Sequence, residues 1–210
     1  MILARRPHGR IQRDHFQTVT VEITDIPADH IVLRVILIQV APAARAVTTS
    51  TTAFAQTQVG DGILCTVLGE VITSCPGGPA VGAIVMSYAR WEQYTVVPAA
   101  QLMPAVEGHP LVHNLGALGL NGLTAYFGMT RIAQPQPGQT VVVSAAGGGV
   151  GHIAGQIAHH AGARVIGTDE TIRPAAQVWH GLDSAPDALV AVLAGESFGQ
   201  AVVRLAEDPV

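Results

Sequence analysis

The chain has no lysine: every one of its fixed side-chain positive charges is an arginine. That matters because phosphate-binding sites often use lysine. Charge of either sign is scarce, with Asp, Glu, Lys and Arg together making up 12% of residues, well under the usual quarter of a soluble domain. A surface so thinly charged is expected to be covered in part by another subunit. The net charge of -4 comes without a long basic run, which argues against nucleic acid and anionic membrane as partners. Cysteine is nearly absent too. Cys65 and Cys75 have no partners at metal-ligand spacing, so a reduced, cytoplasmic setting is expected. The first ten residues (MILARRPHGR) contain no apolar stretch long enough for a signal peptide. The apolar region 140–167 is interrupted by glycines and by His152, His159 and His160, which rules it out as a membrane span.

What the chain does have is apolar residues, 49% over 210 positions. That is enough for one large packed domain or two small ones. The first half reads as β structure. Residues 31–40 (IVLRVILIQV) form a β-branched run interrupted by Arg34 and Gln39, and 64–73 (LCTVLGEVIT) reads alike. Short strands are expected at 83–86 and 94–97. With Gly/Pro punctuation such as residues 75–79 between them, they suggest a small barrel or sandwich. After Pro104 the pattern changes. Small and apolar residues recur at helical spacing over 114–127, although glycine weakens that helix. A turn at 135–138 leads to a strand over 140–145, then to a glycine loop and a helix over 151–160. Gly162 is its expected C-cap, and a strand over 163–168 follows. Strand, glycine turn, helix and strand make a right-handed βαβ unit. Beyond Arg173-Pro174 a helix over 185–194, ended by Gly195, and a strand over 200–205 are expected.

The loop 145–151 (AAGGGVG) lies where a dinucleotide fingerprint must lie. Ala146, Gly148 and Gly151 satisfy the G-x-G-x-x-G/A rule, with Gly149 and Val150 between them. A small residue at 146 permits the turn, Gly148 lets the backbone approach a pyrophosphate, and Gly151 lets the helix pack closely on the strand. The helix N-terminus then offers free N–H groups and a positive dipole end to the phosphates. Glycines can also serve close packing alone. Asp169 and Glu170 stand about 20 positions past the first of the fingerprint residues, where an acidic residue accepts the ribose hydroxyls of NAD. Arg173 nearby argues for the NADP phosphate instead, and Asp169 can equally begin a solvated turn.

The segments 118–128 (LGLNGLTAYFG) and 137–146 (PGQTVVVSAA) resemble the zinc-independent medium-chain dehydrogenases/reductases. The likeness is to the NADP-dependent prostaglandin/leukotriene and alkenal/curcumin reductase type. Weaker similarity covers 76–82 and 91–94 upstream, and 181–182, 185–189 and 195–203 downstream. The resemblance implies an α/β fold made of a GroES-like β-rich domain plus a Rossmann-type parallel sheet that is truncated here. The implied domains are 1–112 (GroES-like), 113–172 (dinucleotide-binding segment) and 173–210 (a helix and strand returning to the first domain). It also implies reduction of activated C=C bonds with NADPH. The departures are large. Three or more βα steps, each needing about 20–30 residues, are missing between Asp169 and Pro174. The family's phosphate-binding lysine and a tyrosine assigned to protonation or substrate contact fall with them. The family's C-terminal Asn and Lys stand here as Ser197 and Gln200. The segment 41–45 keeps only Pro42 and Arg45 of the family's Asp-Pro-Tyr-Met-Arg.

Among polar groups, Tyr126 and Thr124 are the candidate catalytic residues, since the resemblance places their helix beside the nicotinamide. Tyr126 would donate a proton to an enolate, or else anchor the helix to the sheet. Asn121 is a candidate cofactor contact, and Tyr88 and Arg90 are weaker candidates for the same cleft. Nine histidines raise the question of a metal. His152 and His159 are seven apart on one helix, but no carboxylate or cysteine lies at ligand spacing, so surface or supporting roles are expected and no metal.

Three functions remain open. The chain could be an NAD(P)H-dependent reductase of activated alkenes or quinones. It could be a cofactor-independent isomerase, cyclase or dehydratase reusing the cleft on a small apolar substrate. It could be a non-catalytic binding protein. In each case the strand over 163–168 would be an unprotected sheet edge, which predicts a homodimer.

Overall fold

The computed structural model describes residues 1–49, 57–167 and 175–209. In chain order its strands and helices are β1 (Ile2–Leu3), β2 (Phe16–Gln17), β3 (His30–Val40), α1 (Ala43–Thr49), β4 (Leu64–Thr73), β5 (Ile84–Arg90), β6 (Tyr94–Pro98) and β7 (Met103–Pro104). There follow α2 (Leu120–Phe127), β8 (Thr140–Val142), α3 (Gly151–His160), β9 (Arg164–Ile166), β10 (Ala176–His180), α4 (Ala185–Ala194) and β11 (Gln200–Arg204). Two compact units result. The first joins Met1–Ala105 to Val178–Ala194 and Val202–Val210, and the second joins Val106–Gln177 to Gly195–Ala201.

The first unit is built on β3. Its apolar run is buried on both faces, with Ile31, Leu33, Ile36, Leu37 and Ile38 all fully inaccessible. Burying a side chain of that size contributes roughly 1.5–3 kcal/mol. The charge inside the run is handled across the ladder: Arg34 lies opposite Glu70 of antiparallel β4 and pairs with it at 2.5 Å. Strands β4 and β5 pair in continuous antiparallel register from Leu64↔Arg90 to Glu70↔Ile84. Strand β6 takes up the His30–Arg34 part of β3, and β11 joins β3 farther along, where Leu205 N–H donates to the Ile36 carbonyl. The full sheet has seven strands in the order β10-β11-β3-β4-β5-β7, with β6 beside β3. Trp91 is fully buried against Phe16, ring centroids 5.7 Å apart.

The second unit is a parallel β–α–β. Strands β8 and β9 run parallel in the register Thr140↔Arg164 to Val142↔Ile166, with α3 connecting them. Its core is made largely of small residues: Ala125, Met129, Ala154, Ala158 and Ala163, with Val141, Val150, Ile153, Ile157 and Val165 packed around them. The opposite face of the two strands is open, and Val142 is 72% exposed. Among the described residues this sheet has two strands, and β9 pairs with β8 alone.

Several elements differ in length from the sequence expectation. The helix expected over 114–127 begins only at Leu120, after a 3-10 turn over Leu111–Leu115. The backbone between them folds tightly enough that a β-carbon on Gly122 would fall on the Ala117 carbonyl. Beyond Phe127 the helix widens into a π-type turn, Gly128–Ala133, closed by Gln134 at φ 44°. The strand expected over 140–145 ends at Val142, because Ala145 turns into the left-handed region at φ 50°. Strand β9 likewise stops at Ile166, before Gly167 at φ 119°. Strand β5 runs four residues farther than expected, to Arg90, and α1, β1, β2, β7 and β10 have no counterpart in the sequence expectation. No helix among the described residues is long and apolar enough to cross a membrane.

Candidate functional site: the glycine loop of the second unit

The loop 145–151 joins β8 to α3. The residue that makes the turn is Ala145, one position before the expected Ala146. Its positive φ lets its carbonyl point back across the loop, where it accepts from the Gly148 amide at 2.9 Å. The carbonyl also occupies the space a side chain at 151 would need: a β-carbon on Gly151 would collide with the Ala145 oxygen and stand 2.9 Å from its carbonyl carbon. Gly151 is therefore required by the turn itself, not by helix-on-strand packing. Ala146 is buried, and Val150 packs into the small core as the N-cap of α3.

Valine supplies no capping oxygen, and α3 has no side-chain cap. A helix start leaves its first amides without internal partners. Here those of Gly149, Val150 and Gly151 donate to no protein group among the described residues. Three consecutive free N–H groups at the positive end of a helix suit an anionic, phosphate-sized group. The residues present fit the pyrophosphate of a dinucleotide. Asp169, Glu170 and Arg173, which would select the adenosine ribose, lie outside the described residues.

The segment 195–201 borders the loop, although far from it in sequence. Gly199 forms a parallel bridge with Gly148, and its amide donates to the Gly147 carbonyl at 2.7 Å. The Phe198 ring lies 3.6 Å from where a β-carbon on Gly147 would stand. Asn121 donates its side-chain amide to Oε1 of Gln200, and the buried Gln200 donates to the Ala201 carbonyl at 2.7 Å. This amide pair fills the space beside Gly149: a β-carbon there would stand 2.5 Å from Asn121 Nδ2 and 3.0 Å from Gln200 Oε1. Asn121 thus holds a neighbour of the loop. Nothing in the sequence pattern pairs residue 121 with residue 200.

The histidines divide. His159 is exposed, as expected. His152 is not a surface residue: it is 4% exposed, and its Nδ1 lies 2.7 Å from the Gly148 carbonyl oxygen. No group of three or more His, Cys, Asp or Glu side chains able to hold a metal occurs among the described residues. On α2, which packs along α3, the Thr124 hydroxyl donates to the Leu120 carbonyl one turn back at 2.7 Å. Tyr126 is 52% exposed and meets Phe127 edge-on at 5.4 Å. Half in solvent, it does not anchor the helix to the sheet. Tyr88 and Arg90 stand exposed on β5 of the first unit. The Cys65 thiol is buried, and burial pushes its pKa far up, which removes it as a nucleophile.

Residues 1–105 match the family model described as the N-terminal domain of oxidoreductase. YfmJ of Bacillus subtilis (strain 168) is 34% identical over 175 residues, covering 81% of this chain and 51% of YfmJ. The chain belongs to the medium-chain dehydrogenase/reductase family. Prostaglandin reductase 1 of Oryctolagus cuniculus is 30% identical over 169 residues, covering 79% of the chain and 47% of the reductase. The chain spans about half the length of these relatives. Among solved structures, CurA of Vibrio vulnificus in complex with NADPH superposes with a TM-score of 0.87 at 18% identity, over 99% of each chain. At that identity the likeness speaks for fold alone: a mixed α/β protein with a β-rich sheet and a parallel sheet.

Proposed function

We propose that this chain is an NADPH-dependent reductase that acts on an activated C=C bond or a quinone. The observation that carries the reading is the row of free amides at Gly149, Val150 and Gly151, set at the start of α3 between parallel strands. The relatives support it: one is a prostaglandin reductase, and the likeness to an NADPH complex supports the cofactor. When bound, the nicotinamide supplies hydride to the electron-poor carbon of the substrate. The loop amides hold the pyrophosphate, and the helix dipole favours its charge. The Asn121–Gln200 pair fixes the loop from the side. Tyr126, whose hydroxyl has no partner among the described residues, is the proposed donor of a proton to the enolate left after hydride addition. Thr124, already donating to its own helix, can only accept from a neighbour at the same site. The reading needs no metal. It takes the substrate as small and apolar, the setting as cytoplasmic and the assembly as a homodimer, with neither nucleic acid nor membrane as partner.

Titration of the purified protein with NADPH and with NADH tests this, read by nucleotide fluorescence and thermal shift. Saturable binding of NADPH is expected, with stabilisation of about 2.7 kcal/mol at a hundred times the dissociation constant. Oxidation of NADPH should then follow on adding an α,β-unsaturated ketone. Failure of either nucleotide to bind at millimolar concentration would sink the proposal.

A further inference from the structure

We infer that His152 is the positioning residue that sets the phosphate-binding orientation of the loop, by holding the Gly148–Gly149 peptide with its N–H turned outward. This rests on the nucleotide-binding reading above and adds to it the device that aims the amides.

A trans peptide places the carbonyl of one residue and the N–H of the next on opposite sides, and no cis peptide bond occurs among the described residues. Fixing the Gly148 carbonyl therefore fixes the Gly149 N–H. Between two glycines this peptide has no side chain on either side to resist a flip, so the sequence alone leaves its direction open. His152 closes it with two bonds. Its backbone N–H donates to the Gly148 oxygen at 3.1 Å, and its ring Nδ1 stands 2.7 Å from the same oxygen. A carbonyl can only accept, so Nδ1 carries the proton and donates. The backbone bond alone comes with any helix start; the ring bond is particular to this side chain.

The ring is well placed to keep that geometry. It is buried and flanked by Phe198, centroids 6.5 Å apart at 48°. Phe198 is itself tied in through Gly199, whose amide donates to Gly147. Both sides of the exposed amide row are thus fixed by side chains: His152 acts on the 148–149 peptide, and the Asn121–Gln200 pair fills the space beside Gly149. The unsatisfied amides then meet a phosphate without first paying to reorder a glycine-rich loop.

Three substitutions separate this role from packing. His152→Asn keeps a donor at the place of Nδ1. His152→Gln is also polar but carries its amide one bond farther out, near the place of Nε2. His152→Leu fills the space without a donor. The readouts are the NADPH dissociation constant, the thermal midpoint, and shifts of the Gly149, Val150 and Gly151 amide NMR signals on adding inorganic pyrophosphate. Expected are about a tenfold weakening for the Leu and Gln variants and recovery to within about threefold for Asn. The pyrophosphate-induced shifts should follow the same order, whatever the order of the midpoints. Should Leu fail to fold, the comparison of Asn with Gln decides. Equal NADPH affinity in Asn and Gln overturns the inference and leaves the reductase reading intact. If the unmodified protein binds no NADPH but its loop amides respond to pyrophosphate in a His152-dependent way, the reductase reading fails and the inference stands. No response of those amides to pyrophosphate in the unmodified protein overturns it.

Discussion

At the scale of single residues, the loop glycines are not equivalent, and the difference can be measured. At Gly151 a β-carbon would meet backbone, the Ala145 carbonyl, which cannot move without undoing the turn. At Gly149 it would meet only side-chain ends, the amides of Asn121 and Gln200, which can swing aside at the cost of their mutual hydrogen bond. Gly151→Ala should therefore cost roughly 2–3 kcal/mol of stability, the upper part of the usual range for point substitutions. Gly149→Ala should cost about 1 kcal/mol, the typical net worth of one hydrogen bond. Urea midpoints of the two variants, at unchanged slope, check this. Equal losses would mean that the Ala145 carbonyl gives way as easily as a side chain.

At the scale of elements, the two sheets should differ in how readily they open. Strands β3 and β4 are flanked on both edges and bury large β-branched and leucine side chains. Strands β8 and β9 are three residues each, rest on a core of alanines, and present Val142 and Ile166 outward. Local opening free energy follows buried apolar contact, so backbone amides of β8 and β9 should exchange with deuterium at least a hundredfold faster than those of β3. Comparable protection would mean that something covers the open face. The same contrast explains what was legible in sequence. Strand β4 and helices α3 and α4 fall where expected, to the residue, and β3 within one residue, because each carries a strong period and a clear terminator such as Gly195. The fingerprint glycines also announce the loop. Strands β8 and β9 end earlier than the sequence suggests: β8 leads into a turn set by a positive φ on Ala145, a residue type with no such preference, and β9 stops before Gly167 at φ 119°. The partners of the loop were invisible. The sequence offers His152 a surface or a supporting role without naming what it would support, and Phe198, Gly199 and Gln200 reach the loop only through the return of the chain, which no local pattern encodes.

At the scale of the whole molecule, the low charge of the sequence meets a specific surface. In the second unit Leu120, Leu123, Phe127, Ile132, Val142 and Ile166 are all 47% exposed or more. Strand β9 has no pairing partner beyond β8 among the described residues. Scattered exposed apolar residues need no explanation. An open sheet face beside a free strand edge does, because that combination templates pairing with another chain. With the net charge only -4 on 210 residues, repulsion between copies is weak. A twofold dimer also satisfies both edges with one self-complementary contact. Sedimentation velocity at about 10–50 μM should thus show a dimer, held by a buried area of roughly 800 Å² per partner. Val142→Arg should shift it towards monomer. Because Val142 is 72% exposed, the change should leave the stability of the monomer within about 0.5 kcal/mol, so dissociation would report on the interface and not on unfolding. A protein that sediments as a monomer throughout this range, with a melting temperature independent of concentration, would show that the open face needs no cover and that the low charge has another origin.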